Sequence, residues 1–311
     1  MYHYAHRTLA LFIAFALLVF GAALAGCGAP DKAAETGSGM GANDGSAPSG
    51  EAPGPIVVRD GLGREIRLER PAARLVSLYG IATHFLLGLG VQDRLVAGHL
   101  PPKNDVFLNA LYPKGLPRVG GGKDVNIEEL VTHRPDLVFV AGSNKETLSK
   151  LEEANIPTFA VLAEDLPEIK TTVEQIGRAV GAEQAAERLV AYLEGVERKV
   201  AERLKSIPET GRPSAYYVRG ESVLTTVGRD FLQSKLIEYA GGKSATGHLS
   251  GGRIEVSAED FLKLDPEILL IAPYSDVRPE DVYQDERWQN VRAVKARQVY
   301  RFPSNITSWD Y

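Results

Sequence analysis

Cysteine is almost missing from this chain: Cys27 is the single one among 311 residues. One thiol cannot close an intramolecular disulfide, and no second thiolate or neighbouring histidine accompanies it as a zinc ligand. The redox compartment is therefore not legible from disulfides, although a disulfide-free exported protein is compatible with the composition. Basic charge is also short. Lys and Arg total 35 against 40 Asp and Glu, for a net charge of -5, and no basic stripe exists to neutralise phosphates, which excludes nucleic acid as a partner. Enzyme signatures fail as well. GGKS at Gly241 to Ser244 resembles the end of a phosphate-binding loop, but Ile237 stands where its first glycine is required. GLGVQD at Gly88 to Asp93 opens like a dinucleotide fingerprint and places Asp93 where a small residue belongs. No G-x-S-x-G elbow or H-E-x-x-H helix occurs. Among the six histidines, His3 and His6 lie at the extreme N-terminus and His84 and His133 in helical contexts, so no three-ligand metal cluster and no cofactor are expected.

What is present begins with an apolar run. Thr8 to Ala25 carries no charge and follows Arg7, the layout of an export signal; the alternative is an uncleaved helix, since the run approaches the ~20 residues that span a bilayer. Small residues at Ala22, Ala23, Ala25 and Gly26 favour processing, and LAGC, Leu24 to Cys27, resembles the bacterial lipoprotein lipobox. That resemblance implies a signal peptide over residues 1–26 and lipid on Cys27, whose several acyl chains anchor stably where one is marginal. Residues 27–55, rich in Gly, Ala, Ser and Pro with no apolar period, read as a flexible tether.

With 44% hydrophobic and 24% charged residues the remainder has the composition of a globular body. VVRDGLGREIRL predicts a hairpin around Asp60-Gly61, and RLVSLYG, RLVAGHL, DLVFVAGSN and TFAVLAED read as buried strands separated by helices. This is the pattern of a mainly parallel α/β sheet, assigned here to an N-terminal lobe over residues 56–165. Connecting helices follow over 166–207. The second, Glu183 to Leu204, places Leu189, Leu193, Val196, Val200 and Leu204 at spacings of three and four and is roughly 35 Å long, a rigid strut. Strands resume in SAYYVRG, EILLIAPY and QVYRFP, a C-terminal lobe over 208–311. An internal repeat relates the lobes: NIEELVTHRPDLVFVAG and VSAEDFLKLDPEILLIAP each place a glutamate, Glu128 or Glu259, seven residues before a proline and a strand. Each proline is expected to end its helix. Both glutamates fall in a first helical turn, where the dipole alone favours a carboxylate by about 0.3 to 1 kcal/mol.

In an open α/β sheet, ligands bind beyond the carboxyl ends of the strands. The residues just past the predicted strands are Tyr79 and Gly80, His99, Ser143 and Asn144, Arg219, Tyr274, and Asn305. His248 and Arg253 join them from the glycine-rich stretch GGKSATGHLSGGR. Arg219 has the geometry to grip an oxyanion in bidentate fashion, and equally to make an ion pair between lobes. His99 and His248 fit hydrogen-bonding roles better than metal ligation.

Taken together, SLYGIATHFLLGLG, PDLVFV, FLQSKLIEYAGGKSATG, VSAEDFLKLDPEILLI and AVKARQVYRFP resemble the periplasmic binding proteins of ABC importers for iron complexes, haem, cobalamin and, in one branch, molybdate or tungstate. The resemblance covers nearly everything from Ile56 onward. It implies two Rossmann-like α/β lobes joined by a single long α-helix, with little closure on binding. It also implies that Glu128 and Glu259 dock an arginine pocket on the permease, with Glu129 as the competing register for the first. FPSNITSWDY, containing Trp309, and YYVRGESVLTTVGRD, containing Arg219 and Arg229, look most like the molybdate or tungstate branch. Family members continue past the position of Tyr311, so the second lobe is expected to be incomplete at its C-terminus. The expectation is an extracytoplasmic, lipid-anchored, monomeric solute-binding protein that serves an ABC permease and ATPase and does no covalent chemistry. A secreted enzyme, a metallocluster-handling protein, and a sensor or adhesin on the same fold remain the alternatives.

Overall fold

The computed structural model describes residues 54–99, 106–112, 115–120 and 124–304, without the side chain of residue 107. Cys27, the apolar run, the tether, Asn305 and Trp309 lie outside the described residues. The described residues all lie in one compact unit.

The chain enters through an antiparallel hairpin, β1 (Ile56–Arg59) and β2 (Glu65–Leu68). Asp60 holds its turn. The buried carboxylate accepts hydrogen bonds from the backbone of Leu62 and Arg64 at 3.0 and 2.9 Å, and from Ala160 at 3.1 Å. These bonds compensate the cost of burying the charge and tie the hairpin to the neighbouring sheet.

That sheet contains β3 (Leu75–Ser77), β4 (Leu95–Gly98), β5 (Leu137–Ala141) and β6 (Thr158–Val161), in the order β4-β3-β5-β6 with every pair parallel. Its strands are buried on both faces, which is why they read as continuous apolar runs. A second sheet contains β7 (Ser214–Val218), β9 (Lys243–Ser244), β11 (Ile268–Ile271) and β12 (Val299–Arg301), ordered β9-β7-β11-β12, again all parallel. Strand for strand the two orders are the same. The protein is thus a two-lobe α/β fold. The sequence reading missed three short strands of the second lobe: β9, and the antiparallel pair of β8 (Thr225–Val227) with β10 (Arg253–Glu255).

The helices used below are α1 (Gly80–Gly88), α2 (Val106–Leu111), α3 (Ile127–Thr132), α4 (Lys145–Glu153), α5 (Leu166–Val180), α6 (Glu183–Leu204), α7 (Leu232–Tyr239) and α8 (Ala258–Leu264). Helix α6 is the expected strut, 22 residues long. Its amino end packs in the first core, with Ala186, Leu189 and Val190 among residues of the first sheet. At its far end Leu204 lies so close to Gly241 that a Cβ there would meet Leu204 Cδ2 at 2.2 Å. A single helix therefore touches both lobes, and its apolar stripe is half-buried rather than central.

The internal repeat is realised in matching detail. Asn126 caps α3 by accepting from Glu129 N–H at 3.0 Å, and Ser257 caps α8 by accepting from Asp260 N–H at 3.0 Å. Both helices end before a residue in the left-handed region, Arg134 at φ 45° and Asp265 at φ 39°. Each helix stops before its proline, at Thr132 and Leu264, and the residue directly before the proline, Arg134 or Asp265, has left the right-handed helical region. Past each proline a carboxylate then caps the start of the adjacent strand. Asp136 accepts from Ala73 and Arg74 N–H at 2.9 Å each, and Glu267 from Ser214 N–H at 2.8 Å.

Candidate functional site

A cavity of about 430 Å³ opens beyond the carboxyl ends of the strands, lined from the first lobe by Tyr79, Gly80, Ile81, His99, Ala163 and Glu164. From the second lobe it receives Arg219, Phe231, Leu232, Gln233 and Tyr274. The volume lies in the lower half of the ~300–1,000 Å³ usual for small-ligand sites.

Arg219 directly follows β7, and its place is set by three contacts. Its backbone N–H donates to Thr225 O at 2.9 Å. Its Nε donates to the Tyr274 phenol oxygen at 3.0 Å, and its guanidinium carbon lies 4.3 Å from the centroid of the Phe231 ring. The aromatic faces attract the cation and hold its plane without neutralising it. Among the described residues its terminal Nη groups make no hydrogen bond and Arg219 makes no close ion pair; it acts on Glu164 of the other lobe only at longer range, across the cavity. A fork of N–H donors is left for a ligand oxygen.

Two helix amino ends meet the same cavity. Gly80 and Ile81 are the first residues of α1, and Leu232 and Gln233 the first of α7. Neither helix has a side-chain cap from its own N-cap residue, and N–H groups at such ends favour anions. Opposite stands Glu164, two residues before α5. Burial pushes its carboxyl above the ordinary range, against the pull of the Leu232 N–H and of Lys235 and Arg219; Glu168 adds to the upward shift. Next to it, burial raises the Asp165 carboxyl, but the Glu168 N–H and Lys235 outweigh burial and hold its pKa below the usual value. Lys235 Nζ lies 3.2 Å from Asp165 Oδ2. Asp165 thus bridges the two lobes next to a cavity-lining residue, Glu164. Burial also lowers the pKa of His99, with Ser77 O opposing and His84 assisting, so the imidazole is neutral at neutral pH.

Of the residues expected at the strand ends, the structure brings Tyr79, Gly80, His99, Arg219 and Tyr274 together. Four others are not brought there. Asn144 Oδ1 accepts from Thr147 N–H at 3.2 Å as the cap of α4, and Ser143 beside it is exposed. His248 is exposed in its glycine-rich loop, and Arg253 is an exposed residue of β10. Local capping and strand pairing claim these positions. Sequence reasoning missed Ile81, Ala163, Glu164, Phe231, Leu232 and Gln233. Glu164 carried a usable signal, since it lies three residues past β6. Phe231 to Gln233 carried none, because they arrive on a helix that follows the β8 excursion.

Glu128 and Glu259 lie elsewhere, exposed in the first turns of α3 and α8. The shared cap register aligns Glu128 with Glu259, and Glu129 is turned to His133 at 3.4 Å. Among the described residues no trio of His, Cys, Asp or Glu is placed to hold a metal ion, and no described helix is long and apolar enough to cross a membrane.

Residues 75–306 match the family described as periplasmic binding protein. A Bacillus subtilis protein named an uncharacterized ABC transporter substrate-binding lipoprotein, YvrC, is 26% identical over 293 residues, 92% of this chain and 87% of its own. The molybdate-binding protein MolA of Haemophilus influenzae is 26% identical over 281 residues, 82% of this chain and 79% of its own. Its structure bound to molybdate superposes with a TM-score of 0.72 at 21% identity, covering 82% of this chain and 85% of that one. A vitamin B12-binding protein of Vibrio campbellii is 27% identical over 215 residues, 66% of this chain and 72% of its own.

Proposed function

The chain belongs to the periplasmic binding protein family, and from that premise we propose that it is the extracytoplasmic solute-binding lipoprotein of an ABC importer. It captures an iron complex of the siderophore, haem or cobalamin type, or an oxyanion such as molybdate or tungstate, in the cavity between its lobes. It delivers the solute to a permease and its ATPase. The observation that carries this reading is Arg219: a cation held by aromatic rings and a phenol at a cavity, with its terminal N–H groups aimed at no described protein acceptor. Such a group binds an anionic oxygen and supplies no turnover chemistry.

The remaining roles follow. Glu128 and Glu259 are exposed at equivalent positions in the repeat and serve as the two docking carboxylates for the permease. Cys27 carries the lipid, and the 27–55 segment tethers the binding body, which acts as a monomer. The name of the Bacillus subtilis relative, a lipoprotein, supports the anchor. Domain limits of 56–165, 166–207 and 208–311 are consistent with the placement of the two sheets and of α6.

Two experiments test the reading. Metabolic labelling with a radiolabelled fatty acid should mark the wild type, and Cys27→Ser should abolish the label and release the protein; continued anchoring would favour an uncleaved helix. Uptake of the captured solute should require an adjacent permease and ATPase. Binding without any such dependence would favour a sensor.

A further inference from the structure

We propose that Glu164 is an internal counter-anion that decides which ligand charge the cavity accepts. Its carboxylate shares the cavity with Arg219 and the amino end of α7, where it competes with an anionic ligand. A free oxyanion must displace or neutralise it, whereas a ligand that presents hydrogen-bond donors on that side does not. The inference rests on the reading of this cavity as the solute site.

Four observations carry it. Glu164 and Arg219 line the same cavity, and among the described lining residues they are the only carboxylate and the only permanent cation. Leu232, the first residue of α7, lines the cavity with Glu164, and its N–H favours the charged form of that carboxyl. That helix has no side-chain cap from Phe231, so its first N–H groups attract negative charge, and Glu164 supplies it from the other lobe in competition with a bound anion. Finally, the groups facing Glu164 pull in opposite directions: Lys235 and Arg219 favour its charged form, while Glu168 and burial oppose it. Lys235 is already paired with Asp165, and Glu168 Oε2 accepts the Glu164 backbone N–H at 3.0 Å. His99, kept neutral by burial, adds no charge to the cavity at neutral pH. With Glu164 ionised, Arg219 and Glu164 sum to zero. The cavity then offers a dianion no net attraction, so a dianion binds only at the cost of the Glu164 charge, while a neutral chelate whose amide or hydroxyl groups face Glu164 has no such cost.

The test compares the wild type with Glu164→Gln, which keeps the shape and removes the charge. Calorimetric titration with molybdate near neutral pH should show the variant binding at least ten-fold more tightly than the wild type, and adding Arg219→Ala should abolish that gain. Sulfate, doubly charged at every pH used, serves for a pH series. Its affinity for the wild type should rise on acidification, and the rise should shrink in Glu164→Gln, leaving only the part due to His99. If Glu164→Gln binds neither anion, or binds no more tightly than the wild type, the inference is overturned. Should the variant fail to fold, the wild-type sulfate series decides: affinity that does not rise on acidification overturns it. Failure of the solute-binding reading looks different, with the wild type binding no siderophore, haem, cobalamin or oxyanion whatever Glu164 does.

Discussion

Arg219 donates from Nε to the phenol oxygen of Tyr274 at 3.0 Å, joining the residues that follow β7 and β11. The bond uses the inner nitrogen and fixes the direction of the outer two. Replacing Arg219 by Ala should therefore weaken an anionic ligand by about 1.5–3 kcal/mol, the worth of a charge-assisted hydrogen bond. Arg219→Lys should restore part of this, since it keeps charge and loses the planar fork. Calorimetry measures both, and unchanged affinity in the alanine variant would remove Arg219 from the site. Tyr274→Phe should cost less, about 0.5–1.5 kcal/mol, because a neutral positioning contact alone is lost.

Glu128 and Glu259 are exposed and lie outside the cavity lining. Their joint replacement by Ala should leave solute affinity intact and impair uptake in cells. Folding stability should fall by no more than about 0.3–1 kcal/mol per site, the helix-dipole contribution. Loss of binding instead would mean that they are structural.

The pKa of His99 is lowered in the folded protein from 6.5. The stability it contributes is complete above that ordinary value and is lost as pH falls through the folded value, because a proton then enters a buried ring. Thermal melts taken from about pH 7.5 down to about pH 5 should show a smaller loss of Tm in His99→Asn than in the wild type. Equal losses would show that another group governs acid sensitivity.

Phe261 stacks edge-on against Tyr216 and Trp288, with centroids 4.9 and 5.0 Å apart, and is fully buried. Phe261→Ala should cost about 3–5 kcal/mol in denaturant unfolding. The same helix carries Glu259, so the variant also loosens the proposed docking face. A cost below about 1 kcal/mol would mean that the cluster collapses around the gap.

Much of the fold was legible because its signals are local. The spacing of Leu189, Leu193, Val196, Val200 and Leu204 placed the strut over Glu183–Leu204, where it is found. The buried runs at Leu137–Ala141 and Thr158–Val161 had the continuous apolar character of parallel strands. Half-buried packing of α6 was not legible, since it depends on Gly88 and Gly241 letting the helix approach. The site was legible within three residues past a strand, as at Tyr79, His99, Arg219 and Tyr274; Glu164, three past β6, follows the same rule and was overlooked. That rule misplaced Asn144, which caps the next helix. It also gave no hint of Phe231, Leu232 and Gln233, whose position depends on how the segment after β8 folds back.

Calorimetric titration of the wild type and of Arg219→Ala with molybdate, tungstate, a ferric siderophore, haem and cobalamin addresses solute capture most directly. At least one of these should bind the wild type at a single site and bind Arg219→Ala at least ten-fold more weakly. Binding of none, or binding that Arg219→Ala leaves unchanged, would contradict capture in this cavity.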